Sequence, residues 1–216
     1  SGVYFEESPQ DGYAMVATDG HRLSMIRKKI SGQGSALQGA PGVIIPRKGL
    51  MEVKKLVENS GGEFELLVEG SQLVVRQGET VLMVRLIEGK FPNYNQFIPK
   101  NLKQKIKVPR ESFLSSLRRV SLMANQKSKA ISIALSNGKM EITSNNPELG
   151  DAKEEIEVDY QGQDLKIGFN AKYIQEVLTA IQDEQVDLEF NDHLSPGLVR
   201  PHDDPNYTCV VMPMRI

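Results

Sequence analysis

The sequence predicts an α+β fold built from repeated strand-helix-hairpin units, with helices packed on one side of antiparallel sheets. Two observations support this. The chain is self-similar at long range, and within each copy the apolar spacing switches from every second residue to every third or fourth and back. Residues 43–76 (VIIPRKGLMEVKKLVENSGGEFELLVEGSQLVVR) and 165–200 (LKIGFNAKYIQEVLTAIQDEQVDLEFNDHLSPGLVR) share this plan. A third strand-to-helix junction occurs at 106–120 (IKVPRESFLSSLRRV), followed by strand, turn and strand at 131–143 (ISIALSNGKMEIT).

Taken in order, GVYFEE, YAMVATDG and RLSMIRKK read as opening strands, with Asp19-Gly20 as a hairpin-turn dipeptide. Leu50, Val53, Leu56 and Val57 form the apolar stripe of a first helix. Phe113, Leu114, Leu117 and Val120 form a second, and Tyr173, Ile174, Val177, Leu178 and Ile181 a third. Pro46 and Pro109 suit the first turn of a helix, where a missing N–H has no intrahelical partner to lose, and Asn170 suits a cap. Alternating runs such as EFELLVEG, QLVVRQ, KMEITS and VDLEFN read as strands, and Asn137-Gly138 as a turn. The stretch SGQGSALQGAPG (31–42) reads as a flexible surface loop. It is glycine-rich but lacks the Lys-Ser or Lys-Thr of a phosphate loop.

Three segments are expected: residues 1–92, an extended connector over 93–104 signalled by Pro92, Asn93, Pro99 and Asn101, and residues 105–216. The last segment holds two copies of the unit. The first holds one full copy preceded only by strands, so if the two are equivalent it lacks its opening strand and helix.

With 26 Lys and Arg against 28 Asp and Glu, the net charge of −2 excludes a generally basic nucleic-acid binder. Positive charge is nevertheless segregated. Residues 46–58 carry Arg47, Lys48, Lys54 and Lys55 against Glu52 and Glu58; residues 109–123 carry Arg110, Arg118 and Arg119 against Glu111. A single cysteine, Cys209, excludes an internal disulfide or a cysteine-clustered zinc site. No apolar run is long enough to span a bilayer, so a soluble, intracellular chain is expected.

Six separated motifs then carry a resemblance: VATDGHRLSMI (16–26), VIIPRKGLMEV (43–53), LIEGKFPNYNQFIPKN (86–101), ITSNNPE (142–148), IGFNAKYI (167–174) and YTCVVMPMRI (207–216). In this order, over nearly the whole chain, they resemble the bacterial DNA polymerase III beta subunit family, the replicative sliding clamps. The resemblance implies a DNA-clamp fold with antiparallel sheets outside and helices on the inner face. It makes residues 1–92 a middle clamp domain without its first strand and helix, and 105–216 a complete C-terminal domain. It further implies a non-catalytic subunit of the polymerase III holoenzyme, with polymerase activity only by association, no cofactor, no metal and a bacterial cytoplasmic location.

A clamp must attract phosphate without reading bases, because base contacts would stop it sliding. On the resemblance, Arg47 and Lys48 are the DNA-facing residues, and Leu122 and Met123 fall on the dimer-interface side. The implied partners are duplex DNA, bound without sequence preference by the full-length ring, the polymerase III alpha subunit, the clamp loader and other proteins with a clamp-binding motif. A homodimer is expected at full length and a monomer for the present chain. The resemblance also implies a peptide-binding pocket between the middle and C-terminal domains: Thr18, Gly20, His21, Arg22, Leu23, Pro92, Phe97, Val210, Met212, Pro213 and Met214, with Asn170, Tyr173, Pro196 and Arg215 at its margin. Methionines suit a site with many partners because the thioether repacks easily. Val211 alternates away from that surface and reads as core. Where a family member carries arginine and valine in the connector, this chain has Gln96 and Phe97.

Enzyme readings are weaker. Asp19 and His21 flank a turn glycine, and Asp192, His193 and Ser195 have triad residue types, but neighbours on an extended strand would point apart. His202-Asp203-Asp204 lies between Pro201 and Pro205 and reads as a solvated turn, and Cys209 as a small buried hydrophobe. The other open reading is a stand-alone peptide-binding regulatory module that does not encircle DNA.

Overall fold

The computed structural model describes residues 1–8, 10–30 and 34–216, and of Ser60 the backbone alone. The chain divides into two compact units, one of Ser1–Ala17 with Met25–Tyr94 and one of Thr18–Ser24 with Asn95–Ile216.

The first unit begins with β1 (Gly2–Ser8), β2 (Gly12–Thr18) and β4 (Val43–Pro46), in the order β4-β1-β2; β3 (Arg22–Lys28) starts in residues of the second unit and ends in residues of the first. Helix α1 (Arg47–Ser60) follows, and then β5 (Glu65–Glu69), β6 (Gln72–Gln77) and β7 (Thr80–Arg85) form a second, three-stranded sheet. The predicted α1 stripe is turned inward, with Val53 buried and Leu50, Leu56 and Val57 packed beside it. The core contains Phe5, Ile45, Leu73, Val75 and Val84. Gly49 lies so close to β7 that an added Cβ would fall 2.2 Å from Val84 Cγ1, which brings helix and sheet together there.

The second unit contains β8 (Gln104–Pro109), α2 (Arg110–Ser121), β9 (Ala130–Ser136), β10 (Lys139–Asn146) and β11 (Gly150–Glu157), followed by β12 (Leu165–Asn170), α3 (Ala171–Ala180), β13 (Gln185–Phe190), β14 (Gly197–Pro201) and β15 (Tyr207–Val211). Its two copies exchange strands. β8 leads into α2 but pairs with β13 of the other copy, Val108 opposite Val186; β12 leads into α3 but pairs with β9, Ile167 opposite Ile133. The first unit shows the same antiparallel pairing between β4 and β1, with Ile45 opposite Val3. Phe113, Leu114, Leu117 and Val120 of α2 share one core with Ile174, Val177 and Leu178 of α3, and Gln175 Nε2 donates to Leu117 O at 3.2 Å.

Several expectations need correction. Pro46 and Pro109 occupy the cap position itself, in extended conformation (ψ 141° and 117°), one residue before the first helical turn. Asn170 caps α3 as expected, its Oδ1 accepting the Lys172 N–H at 3.0 Å. Strands β7 and β11 were not singled out from the sequence. β11 (GDAKEEIE) escapes apolar patterning because only Ile156 is fully turned inward on an otherwise charged edge strand. The connector is not wholly extended: Tyr94–Phe97 makes a 3-10 turn, and Tyr94, 4% exposed, hydrogen-bonds Glu6. Burial and the neighbouring Glu6 push the Tyr94 phenol up to about 12. Residues 31–33 of the expected surface loop lie outside the described residues, but Leu37 within it is 2% exposed and joins the first core. The loop is tied down on both sides, Ala36 N–H donating to Tyr13 Oη at 2.9 Å and Val68 N–H to Ala36 O at 2.7 Å. Among the described residues, no helix is long and apolar enough to cross a membrane.

Leu37→Ala should therefore destabilise the chain by about 2–4 kcal/mol, as a core truncation does and a surface-loop change does not. Urea unfolding measures it; a loss within ~0.5 kcal/mol would mean the loop adds nothing to the core.

Candidate functional site

The second unit gathers three segments at one place. The turn Thr18–Leu23 is organised by its own side chains: Thr18 Oγ1 accepts the Gly20 N–H and donates to Arg22 O, and Asp19 Oδ1 accepts the N–H groups of His21 and Arg22. Gly20, at φ 87°, takes the left-handed conformation the turn needs. The C-terminal segment is laid against this turn and β12, with Met212 N–H donating to His21 O at 2.9 Å and Met214 N–H to Gly168 O at 2.8 Å. Gly168 permits that approach, since a Cβ there would sit 2.5 Å from Met214 O. The third segment is the start of α3, where Tyr173 lies under Arg22, whose Cζ is 4.5 Å from the ring centroid, and near His21, at 6.4 Å between rings.

Arg22 is the centre of the electrostatics. Its Nε donates to Asp19 Oδ2 at 3.1 Å and its Nη1 to Glu176, 154 residues away. Burial works against the guanidinium charge, but hydrogen bonds to Glu176 and Asp19 outweigh it and raise its pKa. Asp19 shows the converse: burial opposes ionisation, while the His21 N–H and Arg22 bring its pKa below the usual value.

The structure joins His21, Arg22 and Tyr173 through ring contacts, and Met212 and Met214 through the backbone. Leu23 and Val210 are buried, at 3% and 2% exposed, while Met212 is 37% exposed. Val211 is buried in the core as expected, but Val210 is buried beside it, so β15 does not alternate between an open and a covered face. Pro213 is half-buried and Arg215 exposed on the same C-terminal segment. Asn170 is engaged as the α3 cap, with its Nδ2 also donating to Ser128 O. Phe97 is exposed at the end of the 3-10 turn and Pro196 half-buried ahead of β14, whereas Pro92 falls in the first unit. Leu122, 71% exposed, and Met123 lie just beyond α2. Arg47 and Lys48 open α1, both exposed, with no acidic residue in its first turn. Sequence reasoning missed Glu176 and Gly168. The helical i, i+3 spacing of Glu176 from Tyr173 was the available signal for the first; nothing local marked the second.

Chemistry elsewhere is structural. Residues 191–195 form a bend, not an extended strand, so the face-alternation argument does not apply to Asp192 and His193. Asp192 instead accepts from Leu194 N–H, Ser195 N–H and Ser195 Oγ, binding the hydroxyl a triad would need free. His202-Asp203-Asp204 is more than a solvated turn. Fully buried Asp187 receives Lys105 Nζ at 2.9 Å and the Asp203 N–H at 3.2 Å, and its Oδ1 lies 2.7 Å from His202 Nδ1. Asp187, His202 and Asp203 offer ligand atoms within 4.8 Å of one another, but Lys105 already supplies the countercharge. Cys209 is 1% exposed beside Ser24 Oγ, and burial pushes its thiol pKa up, the opposite of a nucleophile's requirement.

The two parts of the chain match two family profiles, the DNA polymerase III beta subunit central domain over residues 1–93 and its C-terminal domain over residues 95–215. The chain belongs to the DNA polymerase III beta subunit family. It is 36% identical over 201 residues to the beta sliding clamp of Caulobacter vibrioides, covering 93% of this chain and 53% of that protein. A Pseudomonas aeruginosa sliding clamp bound to griselimycin superposes with a TM-score of 0.93 at 34% identity, over all of this chain and 57% of the other. A Caulobacter crescentus beta sliding clamp, solved with polyethylene glycol at a putative beta-motif tethering region, gives 0.90 at 33% identity, covering 100% and 58%. The chain thus spans little more than half the length of these beta subunit relatives.

If the Asp187 cluster is structural, Asp187→Asn should cost about 1–3 kcal/mol at neutral pH by unpairing Lys105. Burial opposes ionisation of Asp187, but Lys105, His202 and the Asp203 N–H hold its pKa below 3.8, so its contribution is complete above that value and lost as pH falls through the lower folded one. Urea midpoints should show the variant deficit at pH 7 shrinking toward pH 2. A deficit unchanged across that range would exclude the ionised carboxylate as its source.

Proposed function

We propose that this chain is the partner-binding portion of a replication processivity factor, a non-catalytic sliding clamp that tethers the polymerase III alpha subunit, the clamp loader and other replication and repair proteins to duplex DNA. The observation that carries the reading is the convergence of the Thr18–Leu23 turn, the Met212–Met214 segment and Tyr173. This supplies an apolar floor, adaptable thioethers and a few fixed polar groups, the combination a short leucine- or phenylalanine-bearing peptide requires. Griselimycin bound to a relative of the same fold supports it, as does the tethering region named in another. In this reading the groove draws on the residues the resemblance implies within the second unit, with Gln96 and Phe97 bearing on partner preference.

The DNA-facing role of Arg47 and Lys48 has its own physical support. Two cations at a helix N-terminus oppose the helix dipole, each at about 0.3–1 kcal/mol, and the positive potential that disfavours them locally suits a phosphate. On α2, by contrast, Arg110 donates to the carbonyls of Leu178 and Asp183, and Arg119 pairs with Glu154. Lys54 and Lys55 pair with Glu58 and Glu52. In this reading the full-length protein is a cytoplasmic homodimeric ring closed with the help of Leu122 and Met123, and the present chain is mainly monomeric.

The test is titration with a fluorescein-labelled peptide carrying a leucine and phenylalanine anchor pair. Saturable binding is expected, weakened about five- to twenty-fold by Met212→Ala through lost apolar contact. Binding that ignores Met212, or none at all, would end the proposal. For DNA, Arg47→Ala with Lys48→Ala in the full-length protein should lower the slope of log affinity against log salt by roughly one to two. An unchanged slope would remove both residues from the DNA-facing surface.

A further inference from the structure

Tyr173 and Glu176 stand three residues apart on α3 and therefore share a helix face. Arg22 lies across both, its Cζ 4.5 Å over the centroid of the Tyr173 ring while Nη1 bonds Glu176 and Nε bonds Asp19. A guanidinium is planar, so anchoring two of its nitrogens leaves it only rotation about the line between them, and its contact with the ring restricts both. Asp19 is itself held by the two N–H groups it accepts in the turn, and Glu176 is steadied by Lys172 one turn back, 3.9 Å away. Two carboxylates from segments distant in sequence thus hold one cation against one aromatic ring.

We infer that Glu176 is a positioning residue of the peptide groove: through Arg22 it holds the Tyr173 ring in the orientation a peptide meets, so that binding does not have to order it. The inference rests on the peptide-groove reading. Glu176 need not touch the peptide; its effect comes from side-chain freedom removed beforehand, which otherwise opposes association. Because Arg22 and Glu176 are 29% and 46% exposed, the pair is modest and salt-screened.

The experiment compares the unsubstituted chain with Glu176→Gln, Arg22→Ala and the double variant, by titration with the same labelled leucine- and phenylalanine-containing peptide at low and high salt, and by NMR of carbon-13-labelled tyrosine rings. Glu176→Gln should leave the thermal midpoint within error, weaken peptide binding about three- to fivefold at low salt, and converge with the unsubstituted chain at high salt. The Tyr173 ring signals should broaden or shift without added peptide. In the double variant the Glu176 substitution should have no further effect. Unchanged affinity and an unchanged Tyr173 spectrum in Glu176→Gln, beside a normally binding unsubstituted chain, would overturn the positioning role and leave the groove intact. Failure of the unsubstituted chain to bind would overturn the groove and, with it, the role of Glu176. An affinity loss that is salt-independent or strictly additive with Arg22→Ala would overturn the ion-pair route.

Discussion

The exchange of helix-leading strands is the constraint on which the rest of this protein depends. In the second unit, β8 precedes α2 and pairs with β13, while β12 precedes α3 and pairs with β9. Neither copy of the unit can close its own sheet, so the two must fold around each other, and α2 and α3 are drawn into one core. The site follows from this arrangement. β12 delivers Asn170 as the α3 cap and Gly168 as the seat for Met214, and α3 carries Tyr173 and Glu176 to the same end. A hairpin-and-helix copy standing alone would have no partner for the strand that positions these groups.

Such an arrangement explains why the site is polar at its rim and apolar beneath. Leu23 and Val210 are side chains of the sheet, covered because the sheet is covered. Asp19, Arg22 and Glu176 come from a turn and a helix face, which can present charge without burying it. The half-exposed methionines sit between the two regimes, on a segment pinned by two backbone hydrogen bonds and otherwise free to adjust its side chains.

Much of the fold was legible because its signals are local. The α2 stripe of Phe113, Leu114, Leu117 and Val120 declares its buried face from spacing alone, and all four residues are buried. The repeat revealed the hairpins. β11 was not legible, because an edge strand covered on one face needs few apolar residues, and Lys153, Glu154 and Glu155 mask the alternation. Leu37 was hidden by its glycine-rich surroundings, although the Ala36-Leu37 pair was the trace it left. The turn, the terminal segment and Tyr173 were recognisable as motifs, but the contacts between Arg22 and Glu176 and between Asp187 and His202 are pairings across sequence, which no local pattern encodes.

The charged edge of β11 has a bearing on the protein's behaviour in a crowded cell. Lys153 of β11 lies between Glu155 of the same strand and Glu141 of neighbouring β10, and Lys139 of β10 completes a ladder across the two strands. A foreign strand docking along that edge would have to lay its side chains beside Lys153 and Glu155, which disfavours an apolar segment. The border of the four-stranded sheet is therefore a poor template for an apolar segment, and it selects for a partner whose own side chains are charged.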